Sequence, residues 1–320
     1  MRKTAISFIL PVLVITLLWA CSSPQGAKEN QNISNHKKLP DSTILSDITN
    51  TVKNAPSPVD FVSHINQANL AYSKDLPNDT KNVNNYLNDG IYAPLNLGVY
   101  MTDLGYNALY FKVESSIEYL KACKKITDHL GILSKQNKQL FDRFEKNMDN
   151  RDSLLLIVSQ SYANINNYVK NNDSYDISSL ALVGSWVEGL YLSTKLVLQY
   201  KQTSQDKSTQ ERLLPVIYSI GGQKRSVDNL IELLSAVKNK EKLKDLLKDF
   251  QELKEIYQEV KIIDKKEGEE FIDIAEIGNI DQVNEKITLS SIAKAEVTDV
   301  TLKRILKKIT DIREKIINVK

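Results

Sequence analysis

Leu243-Lys-Asp-Leu-Leu-Lys-Asp-Phe-Gln-Glu-Leu-Lys-Glu-Ile-Tyr-Gln-Glu-Val260 decides the fold. Its apolar positions Leu243, Leu246, Phe250, Leu253, Tyr257 and Val260 are spaced 3, 4, 3, 4, 3. On a helix this spacing makes one apolar stripe, the a/d seam that packs against a second helix. The last segment repeats the spacing with Leu302, Ile305, Ile309, Ile312, Ile316 and Val319. Residues 264–288 between them hold turn residues and charges, enough for the chain to reverse. The expectation is a long antiparallel C-terminal helix pair; pairing between two chains is the alternative.

Helical spacing continues upstream. Ile177–Tyr200 is too apolar for an exposed helix and is expected at the centre of the domain. Asp176, Glu188 and Lys195 argue against its spanning a membrane. Residues 210–238 read as helix, interrupted or kinked near Pro215 and Gly221-Gly222. Asp152 is expected to cap a segment running to about Asn171, after a helix around Lys138–Met148. Residues 90–130 carry Leu97, Met101, Leu104, then Leu109, Val113, Ile117 and Leu120, as one long helix or two stacked ones. Gly131 is the expected C-cap. Ser57-Pro58 supplies an N-cap and a first-turn proline for a helix to about Tyr72. The only candidate strand is Phe271–Ile277. The fold class is all-α, a multi-helix bundle of about eight helices over 57–320, with a possible subdivision near residue 239.

The N-terminus is a sorting signal. Arg2 and Lys3 precede the mostly apolar stretch Ala5–Ala20, which is short of the roughly 20 residues that span a bilayer. Residues 1–20 read as a signal peptide ending in Leu18-Trp-Ala-Cys21, which looks like a bacterial lipobox. That resemblance implies diacylation of the Cys21 thiol, cleavage before it and N-acylation of the new terminus. One acyl chain binds a membrane only reversibly, whereas two or three anchor it durably. Ser22 rather than Asp after the cysteine points to the outer membrane. The absence of an acidic run in Ser22–Gly26 favours the periplasm-facing leaflet. Residues 22–56 are rich in Ser, Asn, Lys, Pro and Gln and read as a flexible tether with a span of about 30 Å.

The 320-residue chain has 42 basic and 40 acidic residues. Removing Arg2 and Lys3 with the signal leaves 40 against 40, so no charge excess suggests a nucleic-acid partner. Two cysteines and three histidines, without H-x-x-x-H spacing, supply no metal centre or disulfide framework. No cofactor-binding motif occurs. Cys123 reads as a small buried helix residue.

Asp103 and Glu188 are carboxylates in apolar company, beside the glycines Gly98, Gly105, Gly184 and Gly189. A buried carboxylate needs a donor, a cation or a proton. Tyr100, Tyr106 and Trp186 are candidate walls and donors. Three readings stand: a satisfied core network, a ligand pocket formed by Tyr100, Asp103, Tyr106, Trp186 and Glu188, or a paired-carboxylate acid/base site. The glycines read as close helix crossings or as the lining of a pocket.

Three blocks carry a resemblance: Leu95-Asn-Leu-Gly-Val-Tyr-Met-Thr-Asp-Leu-Gly-Tyr106, Tyr119-Leu-Lys-Ala-Cys-Lys-Lys125 and Gly184-Ser-Trp-Val-Glu-Gly-Leu-Tyr191. They resemble recurring blocks of a group of all-helical bacterial lipoproteins of the Bacteroidetes type. The resemblance covers residues 57–235 and the lipobox, and implies an all-helical envelope lipoprotein with nothing catalytic. The sequence-based expectation is a non-enzymatic binding or scaffolding protein. It would be held to the membrane by its lipid, with a monomeric helical domain and a possible protein partner in the envelope. A small-molecule-binding protein or a hydrolase-type enzyme using Asp103 and Glu188 is the alternative.

Overall fold

The computed structural model describes residues 58–132, 135–158, 160, 175–204, 206–238, 240–263 and 294–319. The signal peptide, Cys21, the tether, the candidate strand Phe271–Ile277 and the chain reversal over 264–288 lie outside the described residues. So does the stretch approaching Asn171.

Helix α1 (Pro58–Gln67) begins at the expected proline but stops before Tyr72. Asn69 adopts φ 49°, and the amides of Leu70 and Asn69 bond back to Ile65 and Asn66. Asparagine tolerates this left-handed turn, and the bonds satisfy the last carbonyls. Helices α2 (Tyr92–Leu109) and α3 (Val113–His129) resolve the 90–130 alternative as two helices. The break is at Phe111, φ 52°, where Lys112 N bonds Asn107 O. Gly131, φ 66°, closes α3 as expected. Helix α4 (Lys135–Lys146) follows. The helical residues 151–158 are capped by Asn150, whose Oδ1 accepts from Ser153 N, and not by Asp152.

Helix α5 (Tyr175–Thr203) is the centre of the molecule, buried without interruption from Ser178 to Leu190. Helix α6 (Lys207–Gly222) runs through Pro215, so the chain breaks at Gln223 and not at the proline. Helix α7 (Lys224–Ala236) follows directly after that break. Helix α8 (Lys244–Tyr257) leads to strand β1 (Lys261–Ile262). Strand β2 (Ala295–Glu296) pairs with β1 antiparallel and leads to helix α9 (Asp299–Ile317). This two-stranded ladder was not expected from sequence.

The α8–α9 pair is antiparallel within one chain. Arg304 meets Glu259 near one end, while Lys308 and Lys315 meet Asp249 near the other. Every apolar position of both seams is buried except Val319, which packs partly buried against the core. The last carbonyls of α9 enter the core and are matched there: Asn96 Nδ2 donates to Ile316 O and Tyr86 Oη to Ile317 O, both at 2.8 Å.

Helices α2 and α5 form the tightest crossing. A Cβ on Gly98 would sit 1.9 Å from Ala181 O, and one on Gly184 would sit 1.9 Å from Leu95 O. Ser185 Oγ donates to Gly98 O at 3.0 Å, and Thr102 Oγ1 to Ser185 O at 3.2 Å. These two glycines act through their missing side chains, which let two backbones touch. Helix α9 packs across both α5 and α2, so all three present side chains to one interior region. The described residues 58–319 belong to one compact unit.

Candidate functional site

The interior region is built around Glu188 of α5. Arg313 Nε donates to its Oε2 at 2.6 Å, and Arg313 Nη2 to its Oε1 at 2.9 Å. This fork matches the geometry of a carboxylate, which makes the pair stronger than a single contact. Arg313 Nη2 also donates to Leu76 O at 3.1 Å, and the guanidinium stacks 4.3 Å over the Tyr191 ring. Both charged side chains leave water behind: Glu188 is 0% exposed and Arg313 5%. Burial alone would make the Arg313 charge harder to hold, but the Glu188 carboxylate and its hydrogen bonds outweigh that.

Asp103 reaches the same place from α2 and is also 0% exposed. Its Oδ2 accepts from Asn78 N at 3.0 Å, while its Oδ1 finds no donor among the described residues. Its carboxyl lies near enough to that of Glu188 for the two negative charges to repel. Burial, and then the Glu188 charge, push Asp103 well above the usual carboxylate range, against the pull of Arg313. Two carboxyls thus face one cation. Arg313 already occupies both Glu188 oxygens, so a proton on Asp103 removes the repulsion between the two carboxyls.

The chain nearest this cluster is neither helix nor strand. Residues 70–79 form a strap whose peptide groups are held by side chains of the surrounding helices. Tyr110 Oη donates to Leu70 O at 2.6 Å, Tyr200 Oη accepts from Ala71 N at 2.5 Å, and Tyr106 Oη accepts from Ser73 N at 2.9 Å. Tyr119 Oη donates to Asn78 O and Tyr100 Oη to Asp79 O, each at 2.9 Å. Tyrosine suits this work because it fills the core with its ring and brings one hydroxyl to an otherwise orphaned peptide group. The rings also stack, with Tyr72 and Tyr106 centroids 5.5 Å apart.

Of the five residues singled out as a pocket, Asp103 and Glu188 come together. Tyr100 and Tyr106 flank them by holding the strap. Trp186 lies elsewhere: its Nε1 donates to Gln223 Oε1 at 2.9 Å and its ring packs on Phe250. A helix turns 100° per residue, so positions 186 and 188 face different neighbours. Sequence reasoning missed Arg313, Asn78 and the strap. The signal for Arg313 was its register, four residues after Ile309 and three before Ile316, on the apolar face of α9.

Cys123 is buried, and burial pushes its thiol far above its ordinary value. That environment is the opposite of what a reactive thiolate needs. Among the described residues, no group of His, Cys, Asp and Glu is arranged to hold a metal ion. No helix among them is long and apolar enough to cross a membrane. No family model, curated protein or solved structure matches the chain.

Proposed function

We propose that the chain is an outer-membrane lipoprotein, anchored through Cys21 and facing the periplasm, whose helical body is a non-enzymatic binding or scaffolding module. The observation that carries this is Leu18-Trp-Ala-Cys21 at the end of a charged-then-apolar leader. A tether with a reach of about 30 Å then sets the body clear of the headgroups. The likeness of three internal blocks to all-helical bacterial lipoproteins supports the same address. The lipid makes the membrane the first partner, and the second is a protein of the envelope.

The buried carboxyls support the non-enzymatic side. A hydrolase-type pair must reach substrate and water. Asp103 and Glu188 are both 0% exposed; Asp103 already accepts from Asn78 N, and Arg313 already engages both oxygens of Glu188. The test is fractionation of cells that express the wild-type chain or Cys21→Ser. Wild type is expected in the outer-membrane fraction with incorporated fatty-acid label, and the variant without label and released from the membrane. Equal membrane retention of both would contradict the reading.

A further inference from the structure

Residues 70–79 stand apart because side chains from α2, α3, α5 and α9 hold many of their peptide groups, while backbone bonds tie the two ends, Leu70 N to Ile65 O and Asn82 N to Asp79 O. Two of the bonds that hold the strap lead directly into the buried cluster: Leu76 O to Arg313, and Asn78 N to Asp103. Those two side chains meet at Glu188. The strap and the carboxyl pair are therefore one connected unit. We propose that residues 70–79 form a proton-controlled latch, closed over the Asp103–Glu188 pair only while that pair keeps a proton.

The groups that face Asp103 leave it little choice. From α5 comes Glu188, and from α9 comes Arg313, which donates from Nε and Nη2 to Glu188 and from Nη2 to Leu76 O. The remaining neighbours are hydroxyls and a thiol: Tyr119 and Cys123 of α3, Tyr191 of α5 and Tyr72 of the strap. On α2 itself stand Tyr100 and Tyr106. Burial keeps each of these protonated, so none brings a compensating charge.

Losing the proton would place a second negative charge beside Glu188, in a site that water does not reach. Such a charge must be solvated, because Arg313 cannot serve both carboxylates with a full fork. The helices cannot open without breaking their own ladders. The strap can, because its peptide groups exchange tyrosine hydroxyls for water without unwinding anything. The Asn78 contact serves either state of Asp103, whereas the Glu188 contact serves only the protonated one. Opening therefore releases one proton to solvent and leaves Asp103 as a hydrated carboxylate.

The experiment is amide hydrogen exchange of the full chain as a function of pH, for wild type and Asp103→Asn. Asparagine keeps the acceptor for Asn78 and offers Glu188 a permanent N–H in place of the proton. After correction for the intrinsic pH dependence of exchange, wild-type protection at Ser73 and Asn78 is expected to fall. The fall should reach up to tenfold per pH unit above the ordinary carboxylate range, the slope of one linked proton. The variant is expected to show no such slope. Parallel loss of protection in the two chains would overturn the proposal. The wild type provides a second reading that needs no variant. Its infrared spectrum at neutral pH should hold the carbonyl band of a buried carboxylic acid, and absence of that band would equally overturn the latch.

Discussion

Asp103 is an acid held as an acid, and its chemistry is testable one atom at a time. Asparagine has the shape of the protonated form, so Asp103→Asn should leave stability unchanged or raised at neutral pH. Asp103→Ala strands Asn78 N and removes the partner of Glu188, and should cost about 1–3 kcal/mol in chemical denaturation. The pH sign follows from burial. A carboxyl raised in the folded state stabilises fully below its unfolded value of 3.8 and loses that contribution as pH rises. The Asp103→Asn advantage should therefore grow with pH over that window. His64 works in the opposite sense. Its ring nitrogens have no partner among the described residues, and burial lowers it from 6.5 to about 4. Its contribution is complete above pH 6.5 and is lost as pH falls towards 4. The substitution His64→Leu should flatten that acid limb in pH-dependent unfolding, and an unchanged limb would contradict the assignment. At this scale the sequence was half legible. Asp103 and Glu188 announced themselves as charges among apolar neighbours. Arg313 did not, because a long cationic side chain on a lysine-rich helix usually reaches water.

At the scale of elements, the contact between α2 and α5 is a meeting of backbones. Gly98→Ala or Gly184→Ala would drive a methyl into a carbonyl 1.9 Å away. Either change should cost about 3 kcal/mol or more in thermal or chemical unfolding, at or beyond the upper end of overpacking effects. Gly222 is the control: nothing lies within 4 Å of its Cβ position. Gly222→Ala should be neutral or mildly stabilising, since alanine favours helix by about 1 kcal/mol. If all three variants behaved alike, the close-approach account would fail. The C-terminal seams were legible except at Val319, because a 3, 4, 3, 4, 3 spacing has one cheap solution when turn-rich chain joins its two copies. The end of α1 at Asn69 and the break at Phe111 were not. Asparagine is only one of several residues that tolerate a left-handed turn, and phenylalanine rarely adopts one. The β1–β2 ladder was invisible because two residues on each strand carry no alternating pattern. The strap was hidden for a different reason: its structure is written in the tyrosines of other helices.

At the scale of the molecule, α8 and α9 bury their seams against each other, with α9 packed also on α5 and α8 on α7. Neither stripe is left to recruit a second chain, so residues 22–320 should sediment as a monomer; a stable dimer would revive the inter-chain pairing that the sequence left open. The all-α class followed from periodicity alone, whereas the proposed envelope address rests on four residues that precede the folded body. Fold and address are therefore separable. A helical body of this kind fits many roles, and the proposed lipid is what would confine this one to a membrane surface. The most direct measurement is mass spectrometry of the N-terminal peptide of the chain purified from bacterial membranes. The account predicts a mature chain that begins at Cys21, with the mass of two or three fatty acyl groups on that residue. A mature chain beginning at any other residue, or an unmodified Cys21, would contradict it.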